Sequence, residues 1–165
     1  MKNNRGFVLT ETIVAFSLTL LVIISSSLII MIISQSLSHY TKINQEKILA
    51  DSAFNLIKEN LSLATNVKIN TVDTLANYFK IENGALKNEN GYLYDEEHYK
   101  NNPMQIEINA KDYGMMHLTI KILDKNNDPL YSTSRTFKIL YLNKLRKGFS
   151  GQTGIITNPT IYYEK

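Results

Sequence analysis

The chain has 165 residues, room for one domain and an appendage but not for two ordinary domains. Apolar residues make up 44% and charged ones 20%, which excludes a disordered chain. The formal charge of +3 includes Lys2 and Arg5, so the rest of the chain is nearly neutral; that gives no argument for nucleic acid, and the absence of cysteine excludes disulfides and thiolate zinc sites.

Met1 to Arg5 is short, polar and basic, and an apolar run follows from Phe7 to about Ile33. No charged side chain occurs between Thr12 and Ser38. About 20 apolar residues span a bilayer core, so this run is long enough to cross a membrane. Lys2 and Arg5 at its start place the N-terminus in the cytoplasm by the positive-inside rule, with residues beyond 40 outside. A secretory signal peptide has a shorter apolar core, about 7–15 residues, and a small-residue cleavage site that is not evident here. An uncleaved signal anchor accounts for everything except Gly6 and Glu11. A carboxylate near the end of a membrane helix costs free energy and marks a functional position with a partner.

The stretch Arg5-Gly6-Phe7-Val8-Leu9-Thr10-Glu11 resembles the prepilin motif of type IV pilins and of type II secretion and competence pseudopilins. In that family a basic leader ends in Gly, the mature chain starts at Phe, and Glu is its fifth residue. Gly6, Phe7 and Glu11 match those places. The resemblance covers about the first 30 residues. It implies cleavage after Gly6 by a prepilin peptidase, N-methylation of Phe7, and assembly through pairing of Glu11 with the Phe7 amine of a neighbouring subunit. It also implies a membrane-held precursor, other pilins or pseudopilins as partners, and an assembly platform driven by a cytoplasmic ATPase. In low dielectric such a charge pair is stronger than in water, and stranding either partner is costly. Many pilins carry Pro or Gly within this helix; here neither occurs between Phe7 and Asn83, and Ser25-Ser26-Ser27 sits mid-span. Serine hydroxyls there can bend a helix or form a small-residue packing patch.

Beyond Ser38 the helical period persists. Leu37, Tyr40, Ile43, Ala50, Phe54, Ile57, Leu61 and Ala64 recur on one face, while Lys42, Asn44, Glu46, Asp51, Asn55 and Lys58 fall mostly elsewhere. One helix from Phe7 to about Ala64 is expected, membrane-spanning in its first half and amphipathic in its second. Residues 67–79 are ambiguous between a short strand and a loop or short helix. Asn83-Gly84 and Asn90-Gly91 are turn signals around Leu86. Met104–Ala110 alternates as a half-buried strand, Lys111–Gly114 turns, and Leu118, Ile120 and Ile122 mark a second strand. Asp124–Pro129 is a polar turn, and Tyr131–Leu142 reads as a third strand with Phe137, Ile139 and Tyr141 on one face. The tail from Gly148 reads as a loop, with an edge strand at Ile161–Tyr163 as its one candidate element.

The expected fold is therefore α+β: a long N-terminal helix packed on a small antiparallel sheet. The expected division is a leader at 1–6, a membrane or filament-core helix at 7–38, and an amphipathic helix with a globular domain at 39–165.

Asp95-Glu96-Glu97-His98 lacks the alternate spacing of a calcium loop. Asp124, Asn126 and Asp128 alternate, but the glycine and closing glutamate of an EF-hand are missing, so a hairpin turn is expected. His39, His98 and His117 share no motif. No nucleophile elbow, zinc-binding helix motif or phosphate loop occurs, so neither an enzyme, a cofactor nor a metal is expected. Residues 125–165 carry seven Lys or Arg against two acids. Lys138, Lys144, Arg146 and Lys147, with Tyr131 and Tyr141, could hold a DNA backbone or stack bases. The competing reading is a solvated face or one complementary to an acidic neighbour. The functional expectation is a minor pilin or pseudopilin of a type IV filament. The alternatives are a tip subunit touching DNA or a surface, and an uncleaved, signal-anchored extracellular protein.

Overall fold

The computed structural model describes residues 5–71, 77–111, 114–144, 149–151 and 154–165. The chain forms two compact units, Met1–Lys42 and Ile43–Lys165. Helix α1 runs Arg5–Ser62. Its start and end lie within two residues of the expected Phe7 and Ala64, the ordinary uncertainty of helix ends. The absence of Gly and Pro after Gly6 explains the unbroken run.

In the first unit α1 is apolar on every side and its described side chains are exposed, with Leu18 60% and Ile30 67% accessible. It is long and apolar enough to cross a membrane once. Its hydroxyls turn inward. Thr12 donates to the carbonyl of Val8 at 2.9 Å, Ser17 to Ile13 at 2.8 Å, Ser25 to Leu21 at 2.8 Å and Ser27 to Ile23 at 2.9 Å. Back-bonding of this kind satisfies a hydroxyl where water is absent.

In the second unit the rest of α1 packs on two sheets. Its elements are β1 (Asn66–Ile69), β2 (Asn77–Glu82), β3 (Ala85–Asn88), β4 (Gly91–Tyr92), α2 (Glu96–Tyr99), β5 (Met104–Lys111), β6 (Met115–Leu123), β7 (Pro129–Lys138), α3 (Leu140–Lys144), β8 (Ser150–Gly151), β9 (Gly154–Thr157) and β10 (Ile161–Glu164). One sheet has the order β4-β3-β2-β10-β1-β8 and the other β7-β6-β5-β9. All neighbours are antiparallel except β1 and β8. The fold is the expected α+β class, with two small sheets.

Helix residues Leu49, Ala50, Ala53, Phe54, Ile57 and Leu61 form the core with the inward faces of both sheets. Ala50 and Ala53 are fully buried, and their small side chains let the strands come close to the helix backbone. Phe54 meets Phe137 edge-on at 6.0 Å, and Phe79 stacks on Tyr163 at 5.3 Å. The β2–β3 hairpin turns on Asn83 and Gly84, both at positive φ, as an Asn-Gly pair allows. Gly84 also accepts the Met104 amide at 2.7 Å, and a Cβ there would lie 2.6 Å from Pro103 Cβ.

Four details depart from the sequence reading. Leu37, Tyr40 and Ile43 belong to the helical stripe but are exposed, so the buried face begins later, at Glu46 and Leu49. The second hairpin turns on Glu89-Asn90, one residue earlier than expected, with Asn88 paired to Gly91. The third strand stops at Lys138. The Ile139 amide bonds the Gly114 carbonyl at 2.8 Å and the chain enters α3, so burial follows Ile139 and Leu142 while Tyr141 is 49% exposed. The tail is not an edge strand: β10 lies between β1 and β2, inside its sheet. Ile161 and Tyr163 alternate with Tyr162 and Glu164, a signal that three residues were too few to assign to an interior position.

Candidate functional site

Gly6 and Phe7 lie in the first turns of α1, and the side chains of residues 5–7 lie outside the described residues. Glu11 is exposed on the helix, in a shallow concavity of about 430 Å³ with Thr10, Val14, Ala15 and Leu18. These residues recur at i, i+3/4 and i+7, one stripe of the helix. A carboxylate differs from the hydroxyls around it. Ionised, it only accepts hydrogen bonds, so it cannot be satisfied by the carbonyls that hold Thr12 and Ser17. Beyond the first turn the helix has no spare amide to offer it either. Its donor must come from outside the apolar stripe.

Of the four basic candidates, Lys138 and Lys144 lie among the described residues. Lys138 is exposed at the end of β7 and Lys144 is exposed at the end of α3, beside exposed Tyr141. Tyr131 lies seven residues back along β7 from Lys138, about 23 Å at 3.3 Å per residue, and faces Ile122. Arg146 and Lys147 lie outside the described residues. Arg135, which the charge count includes, is committed elsewhere: it pairs with Asp51 at 3.0 Å and sits 5.2 Å from the Phe54 ring. On the other sheet Lys80 and Lys87 both meet Glu82, at 2.7 and 3.1 Å, and hold its carboxyl below the usual range.

The remaining polar residues are used locally. Asp124 accepts the amides of Asn126 and Asp128 at 2.7 and 2.8 Å, the Asx-type turn expected there. His117 meets the Thr136 hydroxyl through Nδ1 and the Ser134 hydroxyl through Nε2, each at 2.8 Å. A histidine–serine contact suggests nucleophile activation, but a hydroxyl rather than a carboxylate holds the second nitrogen. Among the described residues no group of three or more His, Asp or Glu is arranged to hold a metal. Tyr99 and Tyr163 are raised to about 12, mainly by burial, Tyr163 with the added effect of Glu89.

One site escaped the sequence reading. The expected polar position Glu46 is only 6% exposed. Its carboxylate accepts the Asn102 amide at 2.6 Å. Together with Gln45, Ile48 and Leu49 of α1 it forms one side of a 270 Å³ pocket, closed on the other side by Tyr94, His98 and Asn102. Tyr94 and His98 lie ring to ring, 5.8 Å apart. The signal was present: 46, 50, 53, 57, 61 and 64 run at helical spacing, so residue 46 continues the buried stripe by one turn.

No family model, curated protein or solved structure matches the chain.

Proposed function

We propose that this chain is a pilin-like subunit, held in the membrane by α1, cleaved after Gly6 and packed into a type IV filament. One observation carries the reading: the first half of α1, apolar on every side, bears one carboxylate, Glu11, at the fifth place after the Gly6–Phe7 junction. A helix of this kind needs neighbours on all sides, first lipid and then other helices. Cleavage adds water across the Gly6–Phe7 bond and leaves a cationic amine on Phe7, which the resemblance suggests is then methylated. Glycine weakens a helix by about 1 kcal/mol, so the first turn can open there for the peptidase. The amine of one subunit then supplies the donor that Glu11 of the next requires. Two opposite charges that meet in a dry core fix the register of addition, because a mispaired subunit strands both.

Orientation follows from Lys2 and Arg5, with the N-terminus cytoplasmic and residues beyond α1's membrane half outside. The partners on this reading are the prepilin peptidase, other pilins or pseudopilins, and, indirectly, the assembly platform and its ATPase. The role is that of a minor subunit in a pilus or in a competence or secretion pseudopilus.

The test is the mass of the N-terminus in cells with and without a prepilin peptidase. The expected mature chain begins at Phe7 with one added methyl, and the uncleaved form accumulates without the enzyme. A protein that keeps Met1 to Gly6 when the peptidase is active overturns the reading in favour of a signal anchor.

A further inference from the structure

We infer that the outer face of the β7-β6-β5-β9 sheet binds one neutral pyranose unit, in the concavity between Glu107, Asn109, His117, Thr119 and Ile155. All of these residues belong to Ile43–Lys165, so the inference goes beyond the filament reading and does not depend on it.

The first argument is the placement of Ile155. It is 76% exposed, more than any other large apolar side chain described, those of the membrane-length stretch included. It belongs to edge strand β9, whose one neighbour is β5, and its register partner there is Asn109. Successive side chains alternate across a sheet, and Ile156 pairs with buried Ile108, so Ile155 stands on the solvent side. On that side Ile155, Asn109, His117 and Thr136 form one row across four strands. Thr157, Glu107, Thr119 and Ser134 form the next. The result is a polar floor with an apolar wall at its edge. A sugar ring matches it, because its C–H face is apolar and its hydroxyls lie around the rim.

The second argument is which polar groups are already held. Lys121 donates to the Glu107 carboxylate at 2.6 Å. His117 meets the Thr136 and Ser134 hydroxyls at 2.8 Å each, and the Ser134 and Thr119 hydroxyls meet at 2.7 Å. These bonds fix the floor before a ligand arrives, which lowers the cost of binding. Asn109 differs. It is half-buried in the middle of its row, yet among the described residues no hydrogen bond holds its side-chain amide. That amide offers two donors and an acceptor. A hydroxyl both donates and accepts, so neighbouring sugar hydroxyls can serve both ends of the amide at once.

The third argument is charge and size. The Glu107 carboxylate faces the concavity with Lys121 in contact, so the two charges nearly cancel there. A charged ligand would lose its water and meet no opposite charge, which is costly, while a neutral polar one is not penalised in this way. No group of three acidic or histidine ligands is arranged for a metal among the described residues. A volume of 180 Å³ is the share of about six waters at roughly 30 Å³ each, room for one hexose ring and not for two.

A pyranose is offered both by a free sugar and by a unit of a glycan chain. Both sources can be probed with the full chain in phosphocholine detergent micelles, which carry no sugar, isotopically labelled for NMR. The free probes are methyl β-glucoside and N-acetylglucosamine, and the chain probe is triacetylchitotriose. Cyclohexanol, glucuronate and N-acetylglycinamide serve as the apolar, charged and peptide comparisons. Saturable shifts at Asn109, His117, Thr119 and Ile155 are expected with the sugars, at dissociation constants on the order of 1–10 mM. The three comparisons are expected to bind at least about fivefold more weakly. Asn109→Ala is expected to weaken sugar binding about fivefold or more, and Ile155→Ser about threefold. Both side chains face solvent, so both variants should keep the dispersed spectrum of the folded chain. Tighter binding of the trisaccharide than of N-acetylglucosamine assigns the site to a glycan chain, and equal or weaker binding to a free sugar; either supports the inference. It fails if the sugars shift none of the four residues, or if any comparison compound binds as tightly as the glucoside. Undiminished sugar binding by a folded Asn109→Ala also overturns it.

Discussion

Two stretches of α1 invert the usual relation between composition and burial. Residues 8–33 are mostly apolar, with Glu11 their one charged side chain, and stand exposed, with Leu9 64% and Phe16 70% accessible. Residues 46–61 carry acids, lysines and asparagines, yet Ala53, Ile57 and Leu61 are sealed. The second stretch has its partner in the same chain, two sheets that cover one stripe and leave most of the polar residues at or beyond its margin, with Glu46, 6% exposed, the exception. The first has no such cover: its hydrophobic surface is far larger than an ordinary soluble protein exposes, and it is long and apolar enough to cross a membrane once. What α1 buries is decided by what the chain itself folds back, not by how apolar each turn is.

If the first stretch is filled by neighbouring subunits, its one carboxylate is where the comparison is most exposed to test. Glu11→Ala is expected to leave cleavage intact and cut incorporation into filaments by about a hundredfold or more. The figure follows from roughly 3–5 kcal/mol for stranding a buried partner charge, here the Phe7 amine. Quantitative immunoblotting of sheared filaments against the membrane pool measures it. Filaments with normal amounts of the variant would contradict the pairing.

The same truncation should act differently in the two stretches. Ile57→Ala removes a fully buried side chain between helix and sheets and is expected to destabilise the folded domain by about 2–5 kcal/mol. Leu18→Ala, at 60% exposure, is expected to change it by less than about 0.5 kcal/mol. Urea unfolding of the full chain in detergent, followed through tyrosine fluorescence, separates the two. Equal effects would mean that the apolar stretch is part of the domain's own core.

Much of this architecture can be read from the residues, and the failures have physical causes. The helix was legible because nothing in it breaks the period. Strands β5 and β6 were legible because Met104–Ala110 and Met116–Ile122 alternate over a face half exposed to solvent. The β7 boundary was not, because Leu140, Tyr141 and Leu142 fit a strand or a helix equally by composition, and the Ile139–Gly114 hydrogen bond that ends the strand is a tertiary choice. β10 was misplaced because an interior position depends on which distant strands flank it, here β1 and β2. Glu46 was misread because polarity was taken as exposure; its position on the stripe argued otherwise.

Between the large core effect and the small surface ones lies the β2–β3 turn. Gly84 combines φ of 75° with a space that would bring an added Cβ to 2.6 Å from Pro103. Gly84→Ala is expected to destabilise the domain by about 1–3 kcal/mol, through left-handed strain and displacement of Pro103 from beside the Met104–Gly84 hydrogen bond. A midpoint unchanged in urea would show that the loop yields without cost. Since Gly84 lies in one sheet's hairpin and Met104 opens β5 of the other, this turn is also where the two sheets are tied.

The smallest effect sits at the helix's polar margin, where Asp51 meets Arg135 of β7 at 3.0 Å. Arg135 is about half exposed, so solvent screens the pair and its coupling should be only about 0.2–1 kcal/mol in a double-mutant cycle. The arginine has a second contact, its guanidinium 5.2 Å from the Phe54 ring, which the aspartate does not share. Arg135→Ala should therefore cost more than Asp51→Ala, by about 0.5–1 kcal/mol, because it removes both the charge partner and the cover over Phe54. High salt should erase the coupling while leaving most of that difference, since screening acts on the ion pair and much less on the packed stem. Equal losses from the two single variants would mean that Arg135 acts as a charge alone. The sheet would then hold the polar margin of α1 no more firmly than solvent does.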